Sequence, residues 1–252
     1  MYANYHTHTK RCQHAVGEDR EYIETAISSG IKELGFSDHC PWIFPDGYVS
    51  GTRMLPSQVD EYFRTMTDLK KEYAADIRIL IGFEAEYIPP LMEAQDKLLK
   101  DYPVDYMILG QHFLEPEPHS PYTGFEDNSS ENLRRYVDSV IEGMESGRYL
   151  YAAHPDLFNF TGDDEVFRAE YTRLCRYMKS KDIPVEINLL GVREGRHYTS
   201  ERFLSIASEV GNSVIIGCDA HTPTALSQPE PLEKCRSLAE KFGLTIIESL
   251  AI

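Results

Sequence analysis

The stretch IRILIGFEAEY, residues 77–87, is a short apolar, β-branched run that ends on two carboxylates, Glu84 and Glu86. It reads as a strand with a polar tip. The segment before it, PSQVDEYFRTMTDLKKEYAA (56–75), is helix-like and opens on Pro56 and Ser57, residues suited to a helix entry. The same alternation continues on both sides. Further β-like runs are MYANYHTH (1–8), IKELGFSDH (31–39), DYMILGQHF (105–113), YLYAAHPD (149–156), IPVEINLL (183–190), SVIIGCDAH (213–221) and a final LTIIESL (244–250). Helix-like segments lie between them: DREYIETAISSG (19–30), NSSENLRRYVDSVIEGMESG (128–147), DDEVFRAEYTRLCRYMKSK (163–181), SERFLSIASEVG (200–211) and PLEKCRSLAEKFG (231–243). Strands alternating with helices imply βα units and a parallel sheet. Seven or so units in a chain of 252 residues predict an α/β fold, a closed or nearly closed barrel formed as one domain over 1–252. A doubly wound open sheet is the runner-up, but the Gly-rich turn that would mark a dinucleotide-binding version does not follow the first run. Two long loops, 40–56 and 114–130, each follow a strand end, where such loops are often functional.

Composition narrows the function. With 42% hydrophobic and 26% charged residues the chain is ordinarily globular, and its formal net charge of −16 argues against a protein that grips a nucleic-acid backbone by charge. A phosphorylated small molecule stays compatible, because bound divalent ions reverse the field inside a cleft. No apolar run is long enough for a membrane span and no signal peptide is read at the start. The five cysteines (Cys12, Cys40, Cys175, Cys218 and Cys235) are scattered and odd in number, which predicts reduced thiols and a cytoplasmic setting.

The tips of the runs carry the chemistry. His6 and His8 end the first, Asp38 and His39 the second, Glu84 and Glu86 the third, and His112 the fourth. His154 and Asp156 end the fifth, Glu186 and Asn188 the sixth, Asp219 and His221 the seventh, while His14 follows shortly after the first. In parallel α/β folds all strand C-termini lie at one end, so these side chains converge on one rim. His6 and His8, two apart, leave the same face of an extended strand. Taken singly, each could be a loop residue bonded locally: Asp219 could cap a helix, Cys12, Cys40 and Cys218 read as buried thiols, and His119 and His197 as solvated. Jointly they predict a metal site. Imidazole plus carboxylate without thiolate suits Zn²⁺, Fe²⁺ or Mn²⁺. Eight or nine candidates are too many for one ion, and two or three ions sharing a carboxylate suit hydrolysis of phosphoesters.

HTHT, SDH after Gly35-Phe36, GFEAEY, QHF, AHPD, VEIN and GCDAH, in this order from residue 2 to about 224, resemble the motifs of the polymerase-and-histidinol-phosphatase (PHP) superfamily. DHCPW, TRM, AHPDLF and EINLLGVREGRHY resemble its histidinol-phosphate phosphatases. The chain departs from them at Gly110-Gln111, at Cys218 and at Phe158-Asn159-Phe160, where relatives often carry Ser-Val, Ser and a basic residue. The resemblance implies a distorted (β/α)7 TIM-like barrel with three divalent metal ions (Zn, Fe or Mn). It implies that His6, His8, Glu84 and Asp219 hold the first ion and that Glu84 bridges to a second, completed by His112 and His154. His14, His39 and His221 would hold the third, with Glu18 in reserve.

The implied reaction is hydrolysis of L-histidinol phosphate, a step of histidine biosynthesis, by a metal-bridging hydroxide. Arg53, Arg193 and Arg196 are candidates for the phosphoryl group, because a guanidinium fork binds two oxygens. Asp156 is the candidate general acid or a partner orienting a histidine, and Trp42 a candidate pocket wall. Other phosphoesters (a nucleotide, an oligonucleotide end, phosphotyrosine), a non-catalytic metal-binding PHP module and a metal-storage or sensing protein are the alternatives.

Overall fold

The computed structural model describes residues 1–117 and 119–252. Four parallel strands pair in chain order: β1 (Ala3–Asn4), β2 (Glu33–His39), β3 (Arg78–Ala85) and β4 (Tyr106–Leu109). A second parallel sheet holds β5 (Val185–Asn188), β6 (Ser213–Gly217) and β7 (Thr245–Ile246). One bridge, Thr7 beyond β1 with Ala220 beyond β6, joins the two sheets, and a second, Leu109 at the end of β4 with Ala152, ties the 149–156 segment to the first. The outcome is the distorted (β/α)7 TIM-like barrel, an α/β fold with parallel strands throughout these pairings. Its helices are α1 (Asp19–Ser28), α2 (Val59–Glu72), α3 (Pro89–Leu99), α4 (Ser130–Glu145), α5 (Asp164–Ser180), α6 (Leu189–Glu194), α7 (Glu201–Val210) and α8 (Pro229–Lys241). None of the described helices is long and apolar enough to cross a membrane.

Side-chain alternation divides the core into two layers. Along β3, Ile79, Ile81 and Phe83 pack outward in the large cluster that includes Tyr62, Phe63 and Met66 of α2. Leu80 points the other way, into a smaller cluster with Tyr106, Ile108, Tyr151 and Ile215. Glu84 is in phase with Leu80 and therefore emerges at the mouth of the barrel.

Two readings of the sequence change. The fifth run is a single bridge rather than a strand, although Leu150 and Ala153 still bond the carbonyls of Met107 and Leu109 at 2.7 and 2.9 Å. On its far side the carboxylate of Glu186 accepts from the His154 N–H at 2.8 Å and the Tyr151 hydroxyl at 3.2 Å. A side chain thus bonds the backbone of this segment at the distortion. The sixth run stops at Asn188, whose side chain accepts the Gly191 N–H and starts α6, so the apolar Leu189 and Leu190 are helical. Helix α3, absent from the reading above, begins on Pro89-Pro90, where a missing N–H costs a helix nothing. The loops 40–56 and 114–130 are present as expected, apart from the 3₁₀ turn Pro56–Gln58; Pro118 in the second lies outside the described residues.

Candidate metal centre

At the mouth of the barrel Glu84 is ringed by five histidines. Its Oε2 lies 3.5 Å from His6 Nε2, 3.5 Å from His8 Nε2 and 3.1 Å from His39 Nδ1. Its Oε1 lies 3.4 Å from His112 Nε2 and 2.9 Å from His154 Nε2. Asp219 Oδ1 stands 3.5 Å from His6 Nε2 and 3.2 Å from His8 Nε2. Neither oxygen of Glu84, nor Nε2 of His6 or His8, makes a hydrogen bond, and all are buried. Close approach without hydrogen-bond alignment is what ligands of a common ion display. A divalent ion with bonds of about 2.0–2.2 Å keeps neighbouring ligand atoms roughly 3–3.6 Å apart, and the four imidazole–carboxylate distances among His6, His8, Glu84 and Asp219 run from 3.2 to 3.5 Å. The donor set therefore fits a divalent ion, and the two oxygens of Glu84 face different groups of histidines.

A second grouping lies nearer solvent. Gln13 takes a left-handed backbone (φ 72°) after the 3₁₀ turn Lys10–Cys12 and is anchored to the carbonyls of Ser50 and Arg53. The following His14 bonds the Cys12 carbonyl through Nδ1 and brings Nε2 to 3.0 Å from Nε2 of His221. His14, His39 and His221 form one compact group able to hold an ion. Cys12, read as an ordinary buried thiol, is buried but also stands within ligand range of His8 and His221. Backbone strain concentrates here as well: His154 and Asp219 have φ of 41° and 49°, a region that non-glycine residues occupy at a cost.

Residues behind the ring set its geometry; the sequence places them at the rim but assigns none of them a ligand or supporting role. Glu186 bonds Nδ1 of His6 at 2.9 Å, leaving Nε2 toward Asp219 and Glu84. Glu86 bonds Nδ1 of His112 at 3.1 Å. Asp38 accepts from Thr9 and approaches His8 Nδ1 at 3.7 Å. Such partners fix the tautomer and orientation of a ligating ring. The available signal was their position: Asp38, Glu86 and Glu186 all sit at strand tips. Gly110 and Gly217 are small because a Cβ there would run into the carboxylates of Glu84 and Glu186.

Charge explains the demand for cations. Burial pushes Glu84 up, but His112, His6, His39 and His154 hold it well below the usual carboxylate range. Burial opposes and His6, His8 and His221 likewise hold Asp219 well below. On the imidazole side, burial lowers His6, yet Asp219, Glu186 and Glu84 together lift it to about 10. His221, desolvated and beside His8, falls to about 3 and is a neutral donor. The ion-pair partners of Glu84 and Asp219 are all histidines, with no Lys or Arg among the described residues.

Not every candidate belongs to the ring. Glu18, the reserve ligand, caps α1 and pairs with Lys10 at 2.6 Å on the surface, because the helix start turns it outward. Trp42 does not line the cleft; it packs with Phe44, Ile88 and Leu91 and donates to Glu86 at 2.9 Å. Arg53 borders the cleft, but its fork is engaged by Glu86 at 3.0 Å and Glu117 at 3.1 Å, tying both long loops to the residue behind His112. His197 is not solvated: it bonds the Leu157 carbonyl at 2.6 Å. His119 is exposed.

Asp156 is buried away from the cleft lining, and its Oδ2 accepts the Ser200 N–H at 2.7 Å. It is placed to anchor the 194–200 segment rather than to meet substrate. Burial pushes its carboxyl up to about 6, against about 3.9 unfolded. A carboxyl held above its unfolded value destabilises the fold once ionised, so in metal-free protein this contribution worsens as pH rises from about 4 through about 6. Asp156→Asn keeps the acceptor without the charge, and its melting temperature should fall less than wild type over that range. Asp156→Ala leaves the Ser200 N–H unpaired and should cost about 1–3 kcal/mol.

The ring opens into a cleft of about 620 Å³. Arg193 and Arg196 line it, both bonded to Glu194, at 2.9 Å and 2.6 Å. Arg196 also donates to the Tyr198 hydroxyl at 2.8 Å, and the Tyr198 ring lies 5.6 Å from that of His154. Aromatic walls come from Phe113, Tyr122 and Tyr198.

Comparison with known proteins agrees with this geometry. A family model described as PHP domain matches residues 4–189. A Deinococcus radiodurans protein named "Probable histidinol-phosphatase" is 28% identical over 230 residues, spanning 86% of this chain and 85% of its own length. The histidinol-phosphatase of Bacillus subtilis is 21% identical over 249 residues, spanning 86% of this chain and 92% of its own. The crystal structure of histidinol phosphate phosphatase from Lactococcus lactis, complexed with zinc, L-histidinol and phosphate, superposes with a TM-score of 0.72 at 20% identity, covering 98% of this chain and 95% of that one.

Proposed function

This chain belongs to the PHP domain family, and from that premise we propose that it is a metal-dependent phosphomonoesterase hydrolysing L-histidinol phosphate to L-histidinol and phosphate. The observation that carries the reading is Glu84, whose two buried oxygens face five histidines without hydrogen bonds. The relatives named as histidinol-phosphatases, over most of both chains, support the substrate. Bound divalent ions would supply Lewis-acid charge for phosphoryl oxygens and a lowered pKa for water.

The chain's own residues do the rest. His6, His8, Glu84 and Asp219 would hold one ion; Glu84 with His112 and His154 would hold a second, and His14, His39 and His221 a third. Glu186 and Glu86 keep the His6 and His112 rings oriented. Arg193 and Arg196 present planar forks to the phosphoryl oxygens, and the aromatic walls exclude water and flank the substrate's ring. Arg53 acts as a strut between the two long loops. Asp156 holds the segment that carries Arg196 and Tyr198 through the Ser200 N–H. The free, buried cysteines fit a reducing compartment, so a cytoplasmic location goes with the proposal.

The test is phosphate release from L-histidinol phosphate beside AMP, phosphotyrosine and p-nitrophenyl phosphate, on protein of measured metal content. Histidinol phosphate should exceed the others in kcat/KM by at least about tenfold, the worth of one well-placed polar contact. Equal, slow turnover of all four at full metal occupancy would discard the substrate and keep the centre.

A further inference from the structure

Apart from Glu84 and Asp219, the cleft is lined by one carboxylate among the described residues, Glu194. The wall around it is otherwise basic and aromatic. Glu194 ends α6, and the left-handed Gly195 (φ 63°) turns the chain directly after it, so Arg193 and Arg196 approach the same carboxylate from two sides. Arg193 donates to Oε1 at 2.9 Å; Arg196 donates to Oε2 through Nε at 2.9 Å and through Nη2 at 2.6 Å. Two guanidinium groups around one carboxylate leave a net positive wall, and half-open positions at the cleft let water compete for all three groups.

A phosphate monoester dianion entering this cleft is a stronger acceptor for both forks than a single carboxylate. As the forks turn to it, Glu194 loses its partners and stands, negatively charged, within one contact of the groups that hold the phosphoryl oxygens. A substrate with an ammonium group on the carbon next to its ester carbon would place that cation within reach. We propose that Glu194 is the specificity-determining residue of the cleft, exchanging Arg193 and Arg196 for the ammonium group of a 2-amino alkyl phosphate. The proposal rests on the phosphomonoesterase reading and adds the recognition of the non-phosphate half.

The exchange makes an uncommon prediction: loss of the Glu194 charge acts in opposite directions on two substrates. In Glu194→Gln the KM for L-histidinol phosphate should rise about 10- to 100-fold, the worth of a charge-assisted contact. The KM for p-nitrophenyl phosphate, which has no cation, should fall, because the forks no longer have to leave a carboxylate. Both measurements use the metal-loaded wild type and variant. Equal losses on both esters would show that Glu194 only holds the arginines, and would overturn the proposal. A wild-type preference for the cationic ester that survives in the variant would overturn it too, leaving the phosphatase reading intact. No preference in the wild type would remove the substrate reading itself.

Discussion

Glu84→Gln is expected to reduce phosphate release to background and to lower the metal content by at least one ion per chain. The loss should exceed the ~10–100-fold that follows removal of a supporting partner such as Glu186. The reason lies in the two oxygens. Oε2 faces His6, His8 and His39, while Oε1 faces His112 and His154. An amide of the same volume offers one acceptor oxygen and an NH₂ with no lone pair to share. It also removes the negative charge that the buried imidazoles surround. Volume is conserved, so the barrel should still form, which circular dichroism checks on the same sample. A variant retaining full metal and turnover would refute the bridging role.

Chelation is expected to have the second large effect, in two stages. His14, His39 and His221 offer three imidazoles and no carboxylate at the open side, with His14 exposed, whereas His6, His8, Glu84 and Asp219 are buried and include two carboxylates. The outer ion should therefore leave first, with the inner ones following at higher chelator. At a free concentration 100-fold above its dissociation constant each ion contributes about 2.7 kcal/mol to folding. In a chain of this size that is roughly 5–11 °C of melting temperature per ion. Metal content and melting temperature measured along one chelator titration should fall together. Removal of all metal with an unchanged melting temperature would contradict the assignment.

Much of this was legible before folding because strand period and strand polarity are local properties. Glu84 follows Leu80 and Gly82 at two-residue spacing, so a lumen-facing row that ends in a carboxylate can be read directly from IRILIGFEAEY. The helices were equally legible where a start or stop residue marked them: Gly30, Gly147, Gly211 and Gly243 all close their helices with positive φ. Helix α3 was not, because Pro89-Pro90 reads as a break until a helix is known to follow.

The arginines show the opposite case. Arg53, Arg193 and Arg196 look alike in sequence, each in a loop or just past a strand tip. Only the fold shows that Arg53 is sealed between Glu86 and Glu117, while the other two line the cleft around Glu194. Asp156 and Trp42 stayed open between two roles for the same reason, since a residue near a ligand in sequence can turn its side chain to Ser200 or to a satellite core.

What the sequence by itself determined was most of the order of strand and helix, the barrel class and the strand tips from which most of the side chains at its mouth come, since these follow from periodicity along one chain. Only the tertiary structure decided which carboxylates meet histidines and which stand behind them, and which arginines line the cleft with an exposed fork. Those choices depend on distances between residues far apart in the chain, as His6 and Glu186 are, and such distances exist only once the barrel has closed.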